Sequence, residues 1–424
     1  MNLNEAFAEL LNANEPKNDE IEKSVKALVD KLDSVYYCSN CGCHYVISGS
    51  FGRGTATKNS DVDVCYILPN DDYDRFCCRK GNIQSQLLSE IKNHLDIRYP
   101  NSIIKGDGQV VDALFKKTVV ELVPSFQIYG SSSALIYPDT HNESSWLKTN
   151  PLEQQRIFND FAKEYPVYRS LCKLIRCWRD EHNVRFKGIE IDLLVHDFLS
   201  QNSWKYRNVN IQSISYISLL VSFYDYLQAQ RIRCLSIIGD DDFKNIDLNS
   251  LGKAPQKAKN KLSEQNMGIL WDNCIDLFGD GFPSNPYYSE SGNYKEQFIQ
   301  DLFQVRIRNK VKINCDISAN GFRTGKLNDL LKSITPLNRF IVQRSKSLDF
   351  YIEYCDVEKP YDIYWKVRNV GEEARKRNDI RGEIVKGGEK HHECSQFHGS
   401  HYVECYIVKD NVCVAKSRIS VPIE

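Results

Sequence analysis

The chain has 424 residues, of which 55 are Lys or Arg and 56 Asp or Glu, so its formal net charge is −1. Near-neutrality argues against a protein that coats nucleic acid, and apolar runs such as Ile217-Ser218-Leu219-Leu220-Val221 are far too short to span a bilayer. The length suits two or three domains, and the polar start from Met1 to Lys26 lacks a signal-peptide pattern, so the fifteen cysteines read as reduced thiols in a cytoplasm.

Residues 1–33 carry Phe7, Leu10, Leu11, Ile21, Val25, Leu28, Val29 and Leu32 at helical spacing, which predicts a helix bracing a sheet from behind. Cys38, Cys41, Cys43 and His44 follow. They lack a second Cys-x-x-Cys pair, which favours structural thiols at a strand entrance over zinc. Tyr45-Val46-Ile47 reads as a strand, Ser48-Gly49-Ser50 as a turn, and Val62 to Leu68 as a second strand that Pro69 stops. Asp61 and Asp63 then point to one face of that strand. Two carboxylates side by side repel each other unless a cation lies between them, and oxygen-only ligands select a hard ion such as Mg²⁺. Without side-chain bulk at Gly49, backbone N–H groups and the Ser50 hydroxyl can approach a triphosphate closely. After a helix around Ile83 to His94, Gln109 to Phe115 and Thr118 to Pro124 read as two strands joined at Lys116-Lys117. Glu121 is the candidate third carboxylate, with Asp112 expected on the other face of the hairpin.

Beyond Tyr137-Pro138-Asp139-Thr140 the pattern becomes mainly helical, starting at Pro151. Leu171, Leu174, Ile175 and Trp178 form one stripe, and Ile189 to Leu199 and Ile214 to Leu227 are further helices. Lys173 and Arg176 share a face, either towards solvent or towards a ligand. Asp240-Asp241-Asp242 reads as a turn in a mobile loop ahead of a solvated helix. From about Lys346 short strands prevail, among them Phe350 to Cys355, Ile363 to Val367 and His401 to Val408. His391, His392, Cys394, His398 and His401 concentrate possible zinc ligands, although a hairpin with histidines on its rim explains them better.

Taken together, Gly49-Ser50, Asp61-x-Asp63 and an acid three residues before Pro124 resemble the nucleotidyltransferase fold of DNA polymerase beta, poly(A) polymerase, the oligoadenylate synthetases and cyclic GMP-AMP synthase. Within that superfamily the likeness is to the bacterial CD-NTases, the cyclic-oligonucleotide synthases of antiphage defence, and it extends to Thr149-Asn150-Pro151 and Ile191-Asp192-Leu193-Leu194. Asp is commoner than Glu at the third acidic place. The phrases Tyr364 to Asn369, Arg381-Gly382 and His401 to Tyr406 resemble the adenylyl/guanylyl and SMODS C-terminal sensor domain.

The resemblance implies an α/β catalytic lobe over residues 1–145, a helical lobe over 146–345 closing the cleft, and a β-rich sensor domain over 346–424. It implies two Mg²⁺ ions, replaceable by Mn²⁺, on Asp61, Asp63 and Glu121, and triphosphate contacts from Gly49, Ser50, Lys173, Arg176 and, more weakly, Lys187. Arg176 stands where lysine is more usual. Trp365 and Arg368 are the candidate contacts for a nucleotide-like ligand of the sensor domain. The expected activity makes a cyclic messenger from ATP, GTP or other nucleoside triphosphates, for a downstream effector. A linear RNA-tailing enzyme is the first alternative, but no basic stripe with stacking aromatics supports it. A non-catalytic nucleotide sensor is the second.

Overall fold

Pro16 decides how the chain begins. It lacks the N–H that a helix interior needs and its ring clashes with the preceding turn, so the single helix expected over residues 1–33 is two in the computed structural model, α1 (Leu3–Ala13) and α2 (Asn18–Tyr36). The structure describes residues 1–37, 43–100, 102–115, 119–131, 133–140, 145–229, 231–236, 243–279, 281–287, 297–318, 325–327, 342, 345–369, 374, 381–395 and 399–423. They fall into two units, Met1–Pro286 and Tyr287–Glu424.

Of the helices α1 and α2, α2 lies behind the sheet of the first unit. The strands are β1 (Tyr45–Ile47), β2 (Val62–Leu68), β3 (Ile103–Asp107), β4 (Val110–Leu114), β5 (Val119–Gln127), β6 (Leu135–Asp139) and β7 (Ser145–Thr149). A four-residue helical turn, α3 (Gly49–Gly52), follows β1, and α4 (Asn70–Cys77) and α5 (Ile83–Arg98) follow β2. The order is β1-β2-β5-β4-β3, with β6 joining β5 to β7, and β2 runs parallel to β5. Alternation along each strand sorts the side chains. Val62, Val64, Tyr66, Val111, Ala113, Val120 and Leu122 pack against Val25, Leu28 and Leu32 of α2 and Leu87, Ile91 and Leu95 of α5. The intervening residues are thereby committed to the opposite face.

A second apolar core belongs to α6 (Pro151–Glu164), α7 (Tyr168–His182), α8 (Gly188–Gln201), α9 (Ser203–Tyr206), α10 (Tyr216–Gln228), α11 (Ala254–Leu262) and α12 (Met267–Phe278), with a hairpin of β8 (Ile232–Ser236) and β9 (Phe243–Asp247) beside them. Helix α1 joins this core through Leu3, Ala6, Phe7 and Leu10, not the sheet, and the Phe7 ring meets Tyr216, Phe278 and Phe282. The aspartate triplet at 240–242 lies outside the described residues. No helix among the described residues is long and apolar enough to cross a membrane.

The second unit begins well before Lys346. After α13 (Ile299–Leu302), β10 (Gln304–Val305) and β11 (Val311–Ser318) already belong to its two sheets; β10 is too short to show a period, whereas β11 alternates Val311, Ile313, Cys315 and Ile317 with polar residues and extends the β-rich region ahead of Lys346. The remaining strands are β12 (Gly325–Lys326), β13 (Ser347–Cys355), β14 (Asp362–Arg368), β15 (Arg381–Gly387), β16 (Lys390–Cys394), β17 (Gly399–Lys409) and β18 (Val412–Ile423). A sheet ordered β10-β18-β17-β14-β15 shares one core with a sheet ordered β12-β11-β13-β16, through Ile363, Trp365, Val403, Cys405 and Ile419 on one side and Ile313, Cys315, Leu348 and Phe350 on the other.

At the edge of this sandwich Arg381 of β15 grips Glu393 of β16 with both nitrogens, at 2.7 and 2.8 Å, and His391 adds a contact at 2.9 Å. Burial would raise the Glu393 carboxyl, but His391 and Arg381 hold it down, from 4.5 to about 2. A carboxyl depressed in the folded state stabilises the fold above its unfolded pKa, and that contribution is lost as pH falls through the folded value. Melting temperature should therefore fall between pH 4.5 and 2, and Glu393→Gln should flatten that fall while lowering stability at neutral pH. An unchanged acid profile in the variant would show that this pair does not staple the sheets.

Candidate active site

The turn after β1 is fixed by backbone bonds. The Ser48 N–H donates to the Asp63 carbonyl at 2.8 Å, and the Ser50 carbonyl accepts from the Thr55 and Ala56 N–H groups at 2.9 and 3.2 Å. Gly49 has φ +58°, and a Cβ there would lie 1.7 Å from Oδ2 of Asp63. The carboxylate thus sits directly against the Gly49 backbone, where any other residue would displace it.

Strand register then assembles the acids. Asp63 of β2 is the register partner of Glu121 of β5, and Glu121 is also the partner of Asp112 of β4. Partners on neighbouring strands share a face, with strands about 4.8 Å apart, so Asp63, Glu121 and Asp112 form one row opposite the α2 and α5 side. Asp61, two residues before Asp63, directly precedes β2. The expectation that Asp112 turns away is corrected: the β4–β5 register brings it beside Glu121. Lys105 of β3, partner of Asp112, ends the row. Next to Asp63 along β2, burial pushes the Cys65 thiol up to about 11, so it stays protonated at neutral pH.

The three basic candidates belong to α7 and the start of α8. Arg176 is 1% exposed and forks onto Asp192 of α8, with Nη1 2.7 Å from Oδ1 and Nη2 3.0 Å from Oδ2; Nη2 also reaches the Gly188 carbonyl at 3.0 Å. Four residues after Cys172, one helical turn along the buried stripe, its side chain falls inside the helical core, so it makes no direct approach to a triphosphate. Lys173 forms an ion pair with Glu15. Lys187 is exposed at the start of α8, its N–H bonded to Glu190 at 2.9 Å. Sequence reasoning gave no role to Arg53 and Thr55, which also converge on Asp192: Arg53 Nε and the Thr55 hydroxyl lie 2.8 and 3.0 Å from its Oδ2. The available signal was an aspartate inside the apolar run Ile191 to Val195. Burial would raise the Asp192 carboxyl, but Arg176 and then Arg53 outweigh it and hold it below its ordinary value.

The two cysteine-histidine clusters are only partly among the described residues. Asp33, Cys43 and His44 bring potential ligand atoms within 4.8 Å of one another. The Asp33 carboxylate there accepts the Tyr66 hydroxyl at 3.0 Å and the Cys43 N–H at 3.2 Å, His44 stacks on Tyr37, and Cys43 is disulfide-bonded, contrary to the all-reduced reading. Cys38, Cys41 and His398 lie outside the described residues. His392 pairs with Asp349 at 2.7 Å and His391 with Glu393, so these histidines serve sheet pairing.

Trp365 and Arg368 do not form a joint site. Trp365 is fully buried, donates its indole N–H to the Gly388 carbonyl at 2.9 Å and stacks on His391, whereas Arg368, an odd number of residues along β14, points to the other face. Register there sets Lys366 beside Glu404 and Arg418, and Arg368 beside Tyr402, whose ring carries the Arg418 guanidinium at 3.5 Å. Between the sheets, Val367, Phe350 and Val403 floor a cavity of about 320 Å³ with Asn369, Arg381, Glu393 and His401 at its rim.

Residues 1–161 match the family model of the Second Messenger Oligonucleotide or Dinucleotide Synthetase (SMODS) domain, and residues 293–424 that of the Adenylyl/Guanylyl and SMODS C-terminal sensor domain. No match was found among curated proteins. Among solved structures, the CdnC:HORMA-deltaN complex of E. coli MS115-1 is 19% identical, with 66% of this chain and 98% of that chain covered and a TM-score of 0.49. The Vibrio cholerae DncV cyclic AMP-GMP synthase with a linear intermediate is 13% identical, with 57% and 69% covered and a TM-score of 0.46. The E. coli DncV form bound to 3'-deoxy GTP is 14% identical, with 56% and 69% covered and a TM-score of 0.45. The two domain matches carry the assignment: residues 1–161 are a nucleotidyltransferase domain of the SMODS type, and residues 293–424 a C-terminal sensor domain.

Proposed function

We propose that the chain joins nucleoside triphosphates into a cyclic oligonucleotide, with release of pyrophosphate, on the acidic face of its first sheet. The observation that carries this reading is the seating of Asp63 against Gly49 in register with Glu121, because it puts a phosphate-accessible turn and a row of carboxylates on one surface. The donor set is all oxygen and suits Mg²⁺, which Asp61, Asp63 and Glu121 would hold, with Mn²⁺ a substitute. Bound there, such ions lower the pKa of an attacking ribose hydroxyl and neutralise charge on the leaving pyrophosphate.

The protein's own groups do the rest. Gly49 lets backbone N–H groups come close to the triphosphate, and the Ser50 hydroxyl adds a donor. Asp112, beside Glu121, keeps that carboxylate oriented towards Asp63 and is a positioning residue. Lys173, released from Glu15, and Lys187 supply cations to the phosphates. A ring needs a second transfer with the linear intermediate turned round in the same cleft. Family likeness supports a role in bacterial antiphage defence, a product that acts on an effector, and a nucleotide-like ligand for the sensor domain. With Trp365 assigned to the core, Arg368 and its neighbours Arg418 and Tyr402 are the better contacts for such a ligand.

Pyrophosphate release from the four triphosphates in Mg²⁺ tests the reading. Asp61→Asn with Asp63→Asn should abolish it without loss of fold; Glu121→Gln should cost on the order of a hundredfold and Asp112→Asn about tenfold. Near-normal turnover in the double variant would remove the mechanism. Gly49→Ala tests the turn independently. Its Cβ would occupy the place of the Asp63 carboxylate, so turnover should fall on the order of a hundredfold or more, and wild-type kinetics in this variant would show that the seating is irrelevant.

A further inference from the structure

Three segments distant in sequence meet on one carboxylate. Arg53 and Thr55 come from the stretch that follows the Gly49-Ser50 turn, Arg176 from α7 and Asp192 from α8. Asp192 is fully buried, and Thr55, Arg176 and Arg53 are nearly so, with Arg53 the most exposed at 6%. Nothing in the apolar core around them favours a charged quartet. A buried carboxylate with two guanidinium partners contributes little to net stability compared with a well-packed apolar substitute, although breaking one member is costly. Its value lies elsewhere, in the geometry it enforces.

The stretch it grips is tied back to the turn at every step. The Arg53 N–H donates to the Gly49 carbonyl at 3.2 Å, Gly54 to Phe51 at 3.0 Å, and Thr55 and Ala56 to Ser50 at 2.9 and 3.2 Å. Gly54 has φ +70°, and a Cβ there would lie 2.7 Å from the Arg169 Nε of α7. The turn is thus clamped against α7 and α8 by two side chains and one close backbone approach. Arg53 and Arg176 together face the single charge of Asp192, so the clamp carries surplus positive charge behind the turn. That surplus suits a polyanion bound in front of it.

We propose that Asp192 is a positioning residue that, through Arg53 and Thr55, holds the Gly49–Thr57 stretch in its triphosphate-accepting shape, so that affinity for the nucleotide is set from α8. This rests on the triphosphate reading above. The side chains of the clamp touch no substrate; they decide whether Gly49 and Ser50 do.

Thr55→Val is the cleanest probe, because it keeps the shape and removes one hydroxyl bond of about 1 kcal/mol, equivalent to about fivefold. Dissociation constants for a non-hydrolysable triphosphate in Mg²⁺ should rise about fivefold in this variant and on the order of a hundredfold in Asp192→Asn. In turnover the loss should appear in KM with kcat nearly held. Amide hydrogen exchange without nucleotide should speed up at residues 53–57 in Thr55→Val, while α10 and α12 keep wild-type protection. Wild-type exchange at 53–57, or an increase spread evenly over the helical core, would overturn the proposal. If the wild-type chain binds no triphosphate, the functional reading fails, while the exchange data still decide the role of Asp192.

Discussion

Holding like charges side by side on one face of a sheet is the constraint on which the rest of this structure depends. Two carboxylates about 5 Å apart repel by roughly 3 kcal/mol at an effective dielectric of about 20, and Asp63, Glu121 and Asp112 stand in consecutive register. The fold holds them there because the opposite face is buried. Each fully buried Leu, Ile or Val contributes about 2 kcal/mol, and Val25, Leu28, Leu32, Leu87, Ile91 and Leu95 all press on that face. The apolar side outweighs the acidic side.

The same economy explains the glycine and the helices. Gly49 is forced by the Asp63 carboxylate, which occupies the space of a side chain. The turn so created is short, and the stretch that follows it is joined to α8 through Arg53, Thr55 and Asp192. Helix α1 contributes on the same side: the Lys58 N–H donates to the Asn14 carbonyl at 2.8 Å, and Lys173 pairs with Glu15. The break at Pro16 is what allows one N-terminal segment to serve both the helical core and the back of the sheet.

Much of this was legible where the chemistry is local. Gly49-Ser50 and Asp61-x-Asp63 lie within sixteen residues, and the strand that carries Asp63 is plain in the alternation from Val62 to Leu68. The break at Pro16 was equally visible, and so was the parity that separates Trp365 from Arg368. What the sequence could not show was register and long-range pairing. A slip of one residue in the β4–β5 hairpin would have turned Asp112 away, and nothing in the chain order marks that choice. The fork of Arg176 on Asp192 joins separate helices, and a charge on an amphipathic stripe reads as solvated until its partner is seen. In the second unit the two-residue β10 carries no period-two signal, whereas the alternation of Val311, Ile313, Cys315 and Ile317 in β11 was there to be read ahead of Lys346.

The central claim is that the acidic face makes a ring out of nucleotides, and product chemistry tests it most directly. The protein is incubated with all four triphosphates in Mg²⁺, the mixture is treated with phosphatase, and the survivors are weighed by mass spectrometry. The account predicts a phosphatase-resistant species with the mass of a cyclic oligonucleotide, absent from the Asp61→Asn, Asp63→Asn protein. Only nucleosides and dephosphorylated linear chains after digestion would contradict it.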